Sequence, residues 1–139
     1  MNSTRVYASQ KQVADRDYSA IFEVLSRYYD GLYRCDPKLL STVFHPNAQY
    51  FTASDGELLH LDMDTYFPIV EQRTSPESSQ ESYEFSVDSI EFVGPVTAIA
   101  RMRSSMLSKN YTDLLTLVWL EGGWKIITKV FHFTNHADA

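Results

Sequence analysis

The sequence predicts an α+β domain in which helices cover one face of a mainly antiparallel sheet. Three observations predict it. In the first half, apolar residues recur at spacings of three and four, the period of a helix face. From Glu84 on, four runs rich in β-branched and aromatic residues follow one another, punctuated by Gly94-Pro95, Lys109-Asn110 and Gly122-Gly123. Helices first and strands after put the helices on one side of a sheet, not between parallel strands. A chain of 139 residues, 44% hydrophobic, is one domain and can bury a core without disulfides or metals.

The elements follow in order. Residues 1–16 are polar and aperiodic and read as a loose arm, so the domain proper is 17–139. Ile21, Val24, Leu25, Tyr28, Leu32 and Cys35 make one face of a first helix, with Asp17 or Ser19 as its cap. Gly31 weakens that helix, which suggests a close packing contact there. Asp36-Pro37 starts a short second helix carrying Leu39, Leu40, Val43 and Phe44, and His45-Pro46 stops it. Gln49 to Ala53 is a short strand and Ser54 to Glu57 a turn. Asp62 or Asp64 caps a third helix with Met63, Tyr66, Phe67 and Val70 inward. Pro68 must sit in its first turn or bend it. Residues 74–82 are a loop. Glu84–Val93, Val96–Leu107, Tyr111–Leu120 and Trp124–Thr134 then form an antiparallel meander.

Composition excludes several classes. Eighteen acidic against twelve basic residues, a net charge of -6, do not suit a nucleic-acid binder. No apolar run approaches the ~20 residues that span a bilayer, and no secretory signal is evident, so neither nucleic acid nor membrane is an expected partner. A single cysteine, Cys35, rules out an internal disulfide and fits a cytoplasmic location. Both faces of the last two strands are apolar. One layer of helices covers only one of them, so a homodimer packed through the other face is expected.

The register of the last hairpin governs the candidate site. A two-residue turn at Gly122-Gly123 or Glu121-Gly122 puts Asp113 and His132 on one face, whereas a three-residue turn separates them.

Ile21 to Leu32, Phe44-His45-Pro46-Asn47-Ala48, Tyr111 to Leu117 and Gly123 to Phe131 together resemble the putative lumazine-binding family of the nuclear transport factor 2-like (SnoaL-like) superfamily. The resemblance spans about residues 17 to 134. It implies a cone-shaped, cystatin-like fold, with a strongly curved mixed sheet around three N-terminal helices and a pocket between them. It also implies dimerisation through the outer sheet face. Some members of the superfamily are ketosteroid isomerases, scytalone dehydratases or polyketide cyclases, and others have no demonstrated chemistry.

Asp113 is the sharpest chemical signal, a carboxylate among Leu114, Leu115 and Leu117. It is a candidate general base, or a group that only orients His132, Arg101, Arg103 or Lys129. His132 is the candidate second proton carrier. Tyr28 or Tyr50 is the candidate oxyanion donor, with Tyr66 and Tyr111 as further hydroxyls near the cavity. His45 could hold an anionic group at the pocket mouth or cap a helix. Phe67, Met102, Leu115 and Leu117 are candidate ligand-binding residues that core packing also explains. Phe131 joins them only if a bulge re-aims it. No metal-ligand spacing, nucleophile motif or phosphate loop is present, and no cofactor is expected. The expected function is a dimeric pocket for a small, largely apolar molecule. It is either a cofactor-independent isomerase, dehydratase or cyclase, or a non-catalytic binding or interaction module.

Overall fold

The computed structural model describes residues 18–136, so the arm at 1–16 and the Asp17 cap lie outside the described residues. Helix α1 (Tyr18–Arg34) buries Ile21, Val24, Leu25, Tyr28 and Leu32, the stripe its spacing predicts, and Tyr29 beside it. Its end is a Schellman turn. Cys35 takes a left-handed φ of 52°, and the Asp36 N–H reaches the Gly31 carbonyl at 2.8 Å. That turn folds helix α2 (Pro37–Ser41) back onto α1, with Asp36 accepting from the Leu39 N–H at 3.2 Å as its cap. The close contact expected at Gly31 is with Leu40. A Cβ on Gly31 would stand 2.6 Å from Leu40 Cδ2.

Strand β1 (Phe44–Thr52) begins earlier than the sequence suggests. Phe44 leaves the helix and enters the strand, and His45-Pro46 lies in an irregular stretch where the pairing with the last strand slips. Strand β2 (Leu59–Asp62) was not anticipated. It returns antiparallel to β1 and runs directly into helix α3 (Met63–Gln72), whose cap is Asp62. Pro68 sits beyond the first turn of α3 on its exposed side, where water can serve the carbonyl left without a partner. The expected order is therefore corrected in one place: among the described residues the third helix follows two strands and not one.

Strands β3 (Phe85–Phe92), β4 (Thr97–Met106), β5 (Lys109–Leu120) and β6 (Gly123–Asn135) form the expected meander. The sheet order is β2-β1-β6-β5-β4-β3, antiparallel except for the β1–β6 pair. This mixed six-stranded sheet with its three helices is an α+β fold. The β4–β5 turn is Leu107-Ser108, both left-handed, so Lys109 already belongs to β5. The β5–β6 turn is Glu121-Gly122, with positive φ at both positions as a two-residue hairpin requires.

A bulge in β6 sets which of its side chains face the helices. Leu117 faces Ile126, but Thr116 faces Thr128, so Ile127 is an extra residue in β6. Beyond this bulge the parity of the hairpin reverses. Asp113 stands opposite Phe131, Leu115 opposite Lys129, and Thr112 opposite His132. Among the described residues no helix is long and apolar enough to cross a membrane.

Candidate functional site

The inner face of β5 places Asp113 between Met102 on β4 and Phe131 on β6, under helix α1. Its side chain is 2% exposed. The Tyr28 hydroxyl, one helical turn from Leu25 and Val24, donates to Asp113 Oδ2 at 2.6 Å. The other carboxylate oxygen, Oδ1, has no hydrogen-bond partner among the described residues. A buried acceptor left without a donor is uncommon and costly.

The bulge turns Lys129 to the same face. It is buried, and its ammonium lies 4.7 to 5.6 Å from the ring centres of Tyr28, Tyr50, Tyr66 and Phe131. Ring faces attract a cation. Burial pushes the Lys129 amine below its ordinary value, and the Asp113 charge works against that shift. Burial raises Tyr28 well above the usual phenol range, and the neighbouring Asp113 charge adds to it. Burial also raises Tyr66 and Tyr50, and it pushes Tyr111 up to about 12. These hydroxyls therefore remain neutral donors at physiological pH.

Asp113 and Lys129 line a cavity of about 80 Å³ under the helices, room for a group of a few heavy atoms. Tyr50, Tyr66, Tyr111 and Phe131 form walls, while Arg73, at the end of α3, and Lys109, at the start of β5, line its rim. Leu107 closes another side, and its N–H is held by Glu81 Oε1 at 2.8 Å. That bond ties the loop after α3 to the left-handed β4–β5 turn.

The putative lumazine-binding family matches residues 16–132. The chain belongs to that family. Its structural relatives place it in the nuclear transport factor 2-like (NTF2-like) superfamily. An NTF2-like protein of unknown function from Shewanella baltica OS155 superposes with a TM-score of 0.74 at 26% identity, over 86% of this chain and 94% of the other. Another, from Silicibacter pomeroyi DSS-3, gives 0.72 at 21% identity, over 86% and 98%. In sequence the chain is 27% identical over 124 residues to the protein named aldolase FrzH of a Cladobotryum species, covering 88% of this chain and 95% of that one.

In this member of the putative lumazine-binding family, the structure brings together Tyr28, Asp113, Tyr50, Tyr66 and Phe131 of the residues named from sequence, with Tyr111 beside them. It does not bring His132. The bulge puts that side chain on the outer face, exposed, with Nδ1 3.3 Å from Ser54 Oγ, so the expected Asp113–His132 pair is not formed. His45 lies in the irregular part of β1, where its Nδ1 accepts from the Asn47 N–H at 3.0 Å, and it does not line the cavity. Met102, Leu115 and Leu117 are fully buried core residues, and Phe67 packs on Phe44 and Tyr66 outside the cavity lining. Arg101 and Arg103 pair with Asp88 and not with Asp113.

Sequence reasoning weighed Lys129 only as a counter-charge and did not single out Arg73 or Lys109. A signal for Lys129 existed: it shares strand parity with Phe131 and Phe133.

Proposed function

We propose that this protein is a cofactor-independent enzyme that removes the proton next to a carbonyl group of a small organic molecule, chemistry shared by isomerases, cyclases and aldolases. The observation that carries this reading is Asp113 Oδ1, a carboxylate oxygen buried at a cavity wall with no donor of its own among the described residues. A base that takes a proton from carbon needs an oxygen not already occupied. Tyr28 fixes the carboxylate through Oδ2 and leaves Oδ1 to the substrate. Lys129, on the same wall, supplies positive charge to the enolate oxygen that develops as the proton leaves. The aromatic walls limit water, which strengthens both effects. The proton held on Asp113 Oδ1 then returns to another carbon of the enolate or, where the enolate attacks a second carbonyl, to the alkoxide that forms. The relative named an aldolase supports the second outcome.

The protein works, in this reading, as a homodimer. The outer sheet face carries Leu114, 39% exposed, beside Val130, 44% exposed, flanked by the Asp88–Arg101 and Asp88–Arg103 pairs. An apolar strip with a charged border is the anatomy of an interface.

The test is deuterium uptake at the α-carbon of a panel of ketones, followed by NMR in D2O. Asp113→Asn keeps the shape and should cut exchange about 100-fold or more. The variant's thermal unfolding is measured alongside to show that it folds. Exchange that does not depend on Asp113 removes it as the base; no exchange with any ketone while ligands still bind leaves the non-catalytic binding module as the reading. Because burial lowers the Lys129 amine, the rate should fall as pH rises through its value and the ammonium is lost.

A further inference from the structure

The charge around the cavity is opposite to that of the chain. The protein carries a net charge of -6, yet the lining holds three cations, Arg73, Lys109 and Lys129, against one carboxylate, Asp113. None of the three cations has an ion-pair partner among the described residues. Lys129 shares the cavity wall with Asp113. Arg73 and Lys109 are then a surplus of two positive charges, both half-buried.

Their position is specific. Outside the cavity lies a groove of about 400 Å³ floored by the β1–β2 turn region. Four residues line both spaces, which adjoin at them: Tyr50, Phe133, Arg73 and Lys109. The Lys109 ammonium is held 4.4 Å from the Phe133 ring centre. Arg73 lines the inner cavity together with Tyr50, Tyr66, Tyr111 and Lys129. Asp55 and Glu57 also line the outer groove, on the exposed turn, and neither reaches ion-pair distance of Arg73 or Lys109. Glu81, the other nearby acid, is engaged by the Leu107 N–H.

We propose that Arg73 and Lys109 form an anion-binding gate, and that the substrate is an oxo acid whose carboxylate rests on this gate while its carbonyl end enters toward Asp113 and Lys129. The proposal rests on the proton-abstraction reading for the carbonyl end, and on geometry and charge alone for the carboxylate. A guanidinium offers a carboxylate two parallel donors, and an ammonium adds a point charge. A half-buried pair among aromatic rings is less screened than surface charges. The inner volume admits only the small reacting end. The outer groove, with exposed Leu58 and Leu59 along it, takes any longer apolar tail.

The experiment uses matched probes: 2-oxobutanoate, 4-oxopentanoate and 5-oxohexanoate, each with its methyl ester. Binding is measured by NMR titration, and α-deuterium exchange is followed in the same samples. At least one acid should bind about tenfold or more tightly than its ester. Arg73→Gln together with Lys109→Gln should erase that preference without lowering the midpoint of thermal unfolding by more than a few degrees. If every ester binds as well as its acid, or if the double variant keeps the preference, the gate is overturned. The two readings fail separately. Asp113-dependent exchange on esters with no preference for acids sinks the gate and leaves the base. Preference for acids that depends on Arg73 and Lys109, with no exchange, leaves the gate and sinks the base.

Discussion

The bond from Tyr28 to Asp113 joins helix α1 to the centre of the sheet, and Tyr28→Phe isolates it. Phenylalanine keeps the ring, including its edge contact with Phe44 at 5.8 Å, so no cavity opens beyond the lost oxygen. What is lost is a 2.6 Å hydrogen bond to a buried carboxylate whose second oxygen already lacks a donor. Hydrogen bonds to charged groups contribute about 1.5–3 kcal/mol. Phenylalanine leaves Asp113 with neither oxygen satisfied, so the cost should lie near the top of that range, about 2–3 kcal/mol. For a chain of this size that corresponds to a fall of roughly 6–12 °C in unfolding midpoint. Urea titration should show a lower midpoint at unchanged slope. In an Asp113→Asn background the same change removes only a neutral bond, about 1 kcal/mol, so a double-mutant cycle should yield a coupling of about 1–2 kcal/mol. A loss under about 0.5 kcal/mol, or equal losses in both backgrounds, would show that the hydroxyl does not hold a charged carboxylate.

Gly31→Ala should destabilise the fold by about 1–2 kcal/mol despite better helix propensity, because the new methyl meets Leu40 Cδ2 and Cγ at 2.6 and 2.8 Å and Leu40 is fully buried; Leu40→Val should recover part of the loss, and an unchanged urea midpoint would refute the clash. Stability should decline above pH ~10, since the raised Tyr28, Tyr50, Tyr66 and Tyr111 stay protonated in the native state while the unfolded chain ionises near 10. Lys129, with a lowered value, acts in the opposite direction, gaining stability as pH rises toward 10.5, but it is one group against these four tyrosines and Tyr29 and Tyr83, which are raised as well; phenolate absorbance at 295 nm should therefore rise in two phases, the second coincident with unfolding, and a single phase near pH 10 would contradict the burial assigned to these rings. Replacing Leu114 and Val130 together by Lys should convert the proposed dimer to a monomer by sedimentation velocity at micromolar concentration, while an unchanged sedimentation coefficient would place the interface elsewhere.

The helices and the meander were legible because their signals are local. The stripe from Ile21 to Leu32 and the caps at Asp36 and Asp62 depend only on neighbours a few residues away. Strand β2 was not legible: Leu59 to Asp62 is four residues long and mostly exposed, and it is held by pairing with β1 and by the packing of Leu61 on the core. The β4–β5 turn was misplaced for a related reason. Leu107 and Ser108 adopt left-handed conformations that neither residue type favours, held in part by Glu81 from a distant loop. Nothing within the hairpin sequence announces such a contact.

The site failed to be fully legible at one residue. Strand parity read from Glu121-Gly122 pairs odd with even positions, and it holds as far as Leu117 opposite Ile126. Ile127 then interrupts it, and a single inserted residue exchanges the two faces of everything after it. Without the bulge, His132 would look inward and Lys129 outward. With it, the groups beside Asp113 are a lysine and a phenylalanine, and the histidine turns away beside Ser54. The difference is chemical as well as geometric. Histidine would have offered a second proton carrier, whereas lysine offers an ammonium beside the base, its amine lowered by burial and supported by the Asp113 charge. One extra isoleucine in β6 thus selects between a two-proton relay and a single base facing a fixed cation. The second arrangement is suited to making an enolate and holding its oxygen, with Asp113 both taking the proton and giving it back.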